Sequence, residues 1–328
     1  MKRLIILLVA MAMALTACGS ESASDEPLVV YSGRSEELVQ PLIDMFTEET
    51  GIEVEVRYGG STELAATLLA EGENTDADVF YAQDPASLGS VKDLFAELPD
   101  RLLGVVDPQF ADVDGLWVGT SGRVRVFVHD ADTDKPLPQT IDDVVDNPEW
   151  AGDLGVAPTN GSFLAFVAAM VLERGEDATL EWLTKLADAQ PTLYEGNSPI
   201  VAAVDAGEIG SGLVNHYYLL RLKAEGAGED AANWYIPAGD VGSLVMPAGA
   251  GVIEGGNEEA ALRFVEFLLS DQAQEFFVEE THEFSLTGAA TDPNLPDLSE
   301  INAPNIDLSK LADTLEIATR LVSEAGLV

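Results

Sequence analysis

Cysteine occurs once in the 328 residues, at position 18, and histidine three times, at 129, 216 and 282. A lone cysteine excludes an intramolecular disulfide and any cysteine cage for a metal. The histidines lack metal-motif spacing, and neither a His-Glu-x-x-His helix nor a Gly-x-Ser-x-Gly nucleophile turn is present. Basic residues are scarce: 16 Lys and Arg stand against 58 Asp and Glu, for a formal net charge of −42. The acidic residues are spread along the chain, which reads as a solvated acidic surface rather than a polyanionic arm. That balance argues against nucleic acid and anionic lipid as partners. It also favours a cation over a free anion in the global field. Paired carboxylates carry no information in a chain this acidic, so catalysis finds no support.

What is present begins at the N-terminus. Lys2 and Arg3 precede an unbroken apolar run from Leu4 to Leu15. The run falls short of the about 20 residues that span a bilayer and has the length of a signal-peptide core. Leu15-Thr16-Ala17-Cys18-Gly19 then resembles a bacterial lipobox, in which Cys18 is lipidated and becomes the first residue. The alternative is ordinary cleavage near Ala12-Met13-Ala14. On the lipobox reading, residues 1–17 are a signal peptide and 18–27 a flexible, lipid-anchored tether. The fold would then sit outside the cell membrane, touching it only through lipid. Without Lys2 and Arg3, 14 basic residues face 58 acidic ones, a charge of −44.

Apolar residues make up 47% of the chain, with four Trp, and the length exceeds what one core usually serves. From Leu28 strands alternate with helices. Strand 28–32 is followed by a helix that Ser35 can cap, with Leu38, Leu42 and Phe46 four apart and Gly51 at its end. Strand 52–58, helix 62–71 and strand 77–82 complete a unit whose crossovers imply a largely parallel sheet. Val124, Val126 and Val128 mark a strand long enough to cross between lobes. Strand 154–157 feeds the apolar helix 163–172, Ser198 and Pro199 open another helix, and 212–215 ends a strand before helix 217–223. Segment 245–253 returns to the first lobe, followed by helices 258–269, 271–279 and 308–325.

Three loops carry candidate chemistry. Tyr31-Ser32-Gly33-Arg34-Ser35 offers backbone N–H groups, hydroxyls and an arginine fork to an anion at a helix start; an ordinary strand-to-helix turn is the plain alternative. Asn160-Gly161-Ser162 repeats that logic in the other half of the chain. Asn215-His216-Tyr217-Tyr218 places two phenols at a helix start, where successive side chains splay by about 100°. Phenolate oxygen suits a hard, highly charged cation, which drives off the phenol proton despite a free pKa of about 10; aromatic packing is the alternative. His216 is expected at the surface or behind the ligands.

Val29-Val30-Tyr31-Ser32-Gly33, Ala77-Asp78-Val79-Phe80-Tyr81, Ser121-Gly122-Arg123, Asn197-Ser198 and Asn215-His216-Tyr217-Tyr218, in that order, resemble the bacterial ferric-iron-binding proteins of ABC importers. The resemblance runs from Leu28 nearly to the closing Glu324-Ala325-Gly326-Leu327. It implies an α/β, two-lobed type II periplasmic-binding-protein fold, each lobe a mixed sheet flanked by helices around a hinge and cleft. The expected lobes are 28–123 with 245–299, and 124–244 with 300–328. It implies a monomer that binds ferric iron or a ferric chelate and delivers it to a permease. Tyr217 and Tyr218 would be the iron ligands, with Tyr31 a candidate third. Carbonate or phosphate would complete coordination, held by Asn160, Gly161, Ser162, Asn197 and Asn215, with Arg123 nearby. Many members carry His and Glu where this chain has Ser35 and Gln83, so the usual His-plus-Glu octahedron is ruled out. What remains resembles a subgroup using tyrosines and a bidentate carbonate, in which Arg34 beside Ser35 would hold the anion; that subgroup often has tyrosine where Phe163 stands. Two readings stay open beside it: the same fold binding an oxyanion, phosphonate or organic solute without metal, and an extracytoplasmic hydrolase.

Overall fold

The structure, a computed structural model, describes residues 26–328. The signal segment, Cys18 and nearly all of the tether lie outside the described residues. Chain order is β1 (Leu28–Ser32), α1 (Glu36–Thr50), β2 (Val54–Tyr58), α2 (Ser61–Glu71), β3 (Val79–Ala82), α3 (Pro85–Ser90), α4 (Asp100–Leu103), β4 (Val118–Asp130), α5 (Asp143–Asp146), β5 (Leu154–Val156), α6 (Gly161–Arg174), α7 (Glu176–Asp188), β6 (Thr192–Leu193), α8 (Asn197–Asp205), β7 (Ser211–Asn215), α9 (Tyr217–Ala224), β8 (Ala231–Trp234), β9 (Val245–Val252), α10 (Glu258–Leu268), α11 (Asp271–Glu279), β10 (Phe284–Ser285) and α12 (Leu311–Glu324).

Strands β1, β2 and β3 pair in parallel, as the alternation of strands and helices requires. Strand β9 then runs antiparallel between β3 and β4. The 13-residue β4 joins the two halves of the sheet. Its first part, through Val124, pairs with β9, and from Arg125 it pairs with β7 and β8. Beyond β7 lie β5 and β6, again parallel.

Helices cover both faces by burying apolar stripes. In α1 the buried set is Val39, Leu42, Ile43 and Phe46, and Phe46 packs on Phe264 and Phe267 of α10 at centroid distances of 5.2 and 5.6 Å. Under the other half of the sheet, Phe166 of α6 lies edge-on to Trp182 of α7 at 5.8 Å. Helix α12 packs on α6 and α7 and also on α3, so the last helix touches both halves. Among the described residues no helix is long and apolar enough to cross a membrane.

Two local expectations need correction. Ser35 occupies the N-cap of α1 but makes no side-chain cap bond, and it is exposed. Helix α8 opens at Asn197 behind Gly196, not at Ser198, because Asn197 is already helical and its side chain is committed elsewhere.

Candidate ligand cleft

Alternation along β4 sets the site. Val124, Val126 and Val128 go to apolar packing, while Ser121, Arg123 and Arg125 share the other face, all buried. Register pairs Arg125 with Asn215 at the end of β7. A cavity of about 140 Å³ opens there, between the start of α6, the end of β7, the start of α9 and the turn after β3. Gln83, Asp84, Arg123, Arg125, Asn160, Gly161, Ser162, Asn215 and Tyr218 contribute to its wall, closed by Phe166, Leu244 and Met246.

Each wall is fixed by local chemistry. Asn160 caps α6, its side-chain oxygen accepting from the Ser162 N–H at 3.0 Å and from the Ser162 hydroxyl at 2.7 Å. Asn197 donates to that same oxygen at 3.2 Å and to Ser162 Oγ at 3.1 Å, tying α8 to α6. Gly33 lets the β1 turn sit against Ser61: a Cβ there would lie 2.0 Å from Ser61 Oγ. Ser61 Oγ in turn accepts from the Gln83 N–H at 2.9 Å, and Arg123 donates to the Gln83 carbonyl. Asp84 is occupied as the cap of α3, accepting from the N–H and hydroxyl of Ser87.

The tyrosine pair stands at the first turn of α9, rings stacked 4.3 Å apart at 28°. Tyr218 is partly exposed and lines the cavity, whereas Tyr217 is 7% exposed. Burial first, and then the neighbouring Tyr218, push the Tyr217 phenol well above its usual range; Arg123 partly opposes this. Behind the pair, His216 is fully buried, which corrects any surface placement. Its Nδ1 accepts from the Val124 N–H at 3.1 Å and its Nε2 meets the His282 carbonyl at 2.8 Å, so the ring is the neutral Nε2–H tautomer. Burial lowers its pKa to about 4.

Other expected residues are placed differently. Tyr31 does not reach the cavity: its phenol donates to Glu71 at 3.1 Å and accepts from Arg57 at 3.1 Å, at the far edge of the sheet. Alternation accounts for this, since Tyr31 pairs in register with Arg57 on β2. Arg34 is not free for an anion. Its Nη2 grips both oxygens of Glu283 at 3.0 and 3.1 Å and its Nη1 reaches Ser121 at 3.1 Å, with both charged side chains 3% exposed. Burial would lower the Arg34 pKa, yet the Glu283 charge outweighs it and holds the guanidinium above its ordinary value. Ser35 stays outside the cavity as well. Among the described residues no cluster of three or more His, Cys, Asp or Glu could hold a metal.

Two residues were not anticipated. Glu283, the counter-ion of Arg34, lies 249 positions away, and only the fold joins them. Arg125 lay within sight, because strand alternation from Arg123 already puts both on one face.

Residues 28–280 match the family of bacterial extracellular solute-binding proteins. The Fe(3+)-binding periplasmic protein of Serratia marcescens is 34% identical over 96% of this chain and 95% of its own. Iron-bound HitA from Pseudomonas aeruginosa superimposes with a TM-score of 0.83 at 32% identity, over 92% of this chain and 99% of that one. Trichodesmium IdiA (FutA), solved with iron and citrate ligands, gives a TM-score of 0.78 at 25% identity, over 92% and 99%.

Proposed function

Because the chain belongs to the bacterial extracellular solute-binding proteins, we propose that it captures ferric iron in this cleft and hands it to an ABC importer, without catalysing a reaction. The carrying observation is Tyr218 in the wall of a small cavity, with the ring of Tyr217 stacked on it from behind at 4.3 Å. Similarity to the Serratia iron-binding protein and to iron-bound HitA supports the same cargo. Lacking a carboxylate or histidine cluster, the site has phenol oxygen as its hard donor. A cavity of about 140 Å³ suits a metal ion with a small co-ligand, being well below the roughly 300 Å³ at which organic ligand pockets begin.

Chemically, the protein supplies two steps. Iron approaching the cleft displaces the phenol protons of Tyr218 and Tyr217. Arg123 favours the Tyr217 anion, while burial and the second phenol oppose it. Asn160, Gly161, Ser162, Asn197 and Asn215 would hold a carbonate or phosphate, which would supply the remaining oxygen donors. Closure would bring residues 28–123 with 245–299 against residues 124–244 with 300–328, bending where β4 changes partner between Val124 and Arg125. Cys18 would carry the lipid that keeps this monomeric receptor beside its permease.

The test is a titration of the purified protein with ferric citrate, followed by visible absorbance. Ferric phenolate absorbs in the visible and a metal-free oxyanion complex does not, so a charge-transfer band is expected. Each phenol proton released makes affinity fall by about tenfold per pH unit on acidification, and two make it about a hundredfold. A colourless protein that still binds phosphate would transfer the assignment to an oxyanion cargo, which two arginines in the cavity wall would suit.

A further inference from the structure

Every hydrogen-bonding group of His216 is engaged, in a residue with no exposed surface. Its backbone N–H donates to the Val124 carbonyl at 2.9 Å, and its own carbonyl accepts from Asn233 Nδ2 at 2.8 Å. In the ring, Nδ1 accepts from the Val124 N–H at 3.1 Å and Nε2 donates to the His282 carbonyl at 2.8 Å. Three of these bonds go to β4 and β8, on the side of the sheet that carries α9. The fourth crosses to the segment before β10, which pairs with the first part of β4 at Gly122 and Ser121. The receiving carbonyl is held in place. His282 has a left-handed backbone, φ 56°, which a residue with a Cβ rarely adopts. On either side of it, Thr281 Oγ and the Glu283 N–H both donate to the Phe277 carbonyl, at 2.7 and 3.0 Å. Such a backbone persists where its surroundings over-determine it. The imidazole lies between Phe284, 4.7 Å away, and Tyr217, which it meets edge-on at 5.9 Å. An apolar side chain would fill that space but could make neither ring bond.

We propose that His216 is a positioning residue for ferric binding, and that its Nε2–H bond to the His282 carbonyl sets the direction of the Tyr217 phenol. This rests on Tyr217 being an iron ligand. His216 immediately precedes Tyr217 at the start of α9, so a rotation of one tilts the other. The bonds to Val124 and Asn233 anchor that first turn to its own side of the sheet. Only the bond to His282 ties it to the β10 side, so only that bond fixes the phenol relative to both. A metal ligand works when a surrounding residue locks its orientation, and a loosened donor costs affinity although it is still present. The ring acts as a fixed donor and acceptor throughout, with no change of protonation.

The experiment compares wild type, His216→Asn and His216→Gln by ferric citrate titration, recording affinity, the rate of iron loss to a chelator and the position of the visible band. Glutamine carries an amide N–H at the reach of Nε2 and keeps the donor to His282. Asparagine keeps an acceptor near the place of Nδ1 but is too short for His282. His216→Asn should weaken ferric binding by about tenfold, speed iron loss and shift the band, whereas His216→Gln should recover affinity to within about threefold of the wild type. Urea unfolding of the metal-free variants supplies the control. A merely structural role would follow stability and leave the band in place. Wild-type affinity and an unmoved band in His216→Asn, or equal weakening in both variants, overturns the proposal. If His216→Asn does not fold, the glutamine variant decides: near-wild-type affinity with an unmoved band supports the proposal, and loss of either overturns it. A colourless wild type would refute Tyr217 as a ligand and this inference with it, while colour indifferent to both variants refutes the role of His216 alone.

Discussion

Two arginines enter the same buried face of the molecule and end differently. Arg34 leaves the turn after β1 and meets Glu283, which accepts from it through both oxygens at 3.0 and 3.1 Å, with Ser121 closing the set. Arg125 leaves β4 four residues beyond Ser121 and meets two phenyl rings, a carbonyl and a distant hydroxyl. The first charge is cancelled inside the fold, so it holds the structure together and offers nothing to a ligand. The second is left open at a cavity. Burial alone therefore does not tell whether the charge of an arginine is satisfied within the fold; the presence of a counter-ion does.

Breaking the first pair should produce the largest effect. Glu283→Leu would leave Arg34 buried and alone, at a cost of about 3–5 kcal/mol in urea unfolding. The same measurement on Arg125→Met should give a much smaller change, because no internal charge is stranded and only the Leu213 carbonyl loses a donor. Equal losses in the two variants would erase the distinction between them.

A smaller effect should come from His216, the neutral ring that joins Val124 of β4 to the His282 carbonyl. Its pKa is depressed from 6.5 to about 4 in the fold. Its stabilisation is therefore complete above pH 6.5, where folded and unfolded chains are both neutral. As pH falls from 6.5 to 4 the unfolded chain takes up a proton that the folded one refuses. The advantage of the wild type over His216→Gln should shrink by about 3 kcal/mol across that window, read from urea midpoints. A constant difference between the two proteins would mean that the ring is protonated in the fold.

Much of this organisation was legible in the sequence, for identifiable reasons. Period-two alternation gave β2 and β4, and glycine after a periodic run gave the end of α1 at Gly51, whose φ is 73°. The cavity wall at Asn160, Gly161, Ser162, Asn215 and Tyr218 came from loops at strand ends, where backbone N–H groups and side chains are free to face a ligand. Pairings distant in sequence were not legible. Nothing near Arg34 announces Glu283, so a glycine loop with hydroxyls and an arginine at a helix start suggested an anion site that the fold fills internally. Tyr31 was misjudged for a different reason. Its place at the end of β1 suggested the cleft, but its side chain lies on the face that meets Arg57 and Glu71. Arg125 was overlooked although the Val124–Val126–Val128 pattern placed it beside Arg123. A buried arginine with no acid at matching spacing is itself a signal.

The central claim is that the phenol oxygens of Tyr217 and Tyr218 hold the metal. Resonance Raman spectroscopy of the ferric protein, excited within its visible band, tests this most directly. Tyrosinate vibrations should dominate the wild-type spectrum, and Tyr217→Phe and Tyr218→Phe should each weaken them and lower ferric affinity by more than about a hundredfold, beyond the roughly 10–100-fold cost of losing a mere supporting group. Unaltered tyrosinate bands and unaltered affinity in both variants would contradict the account.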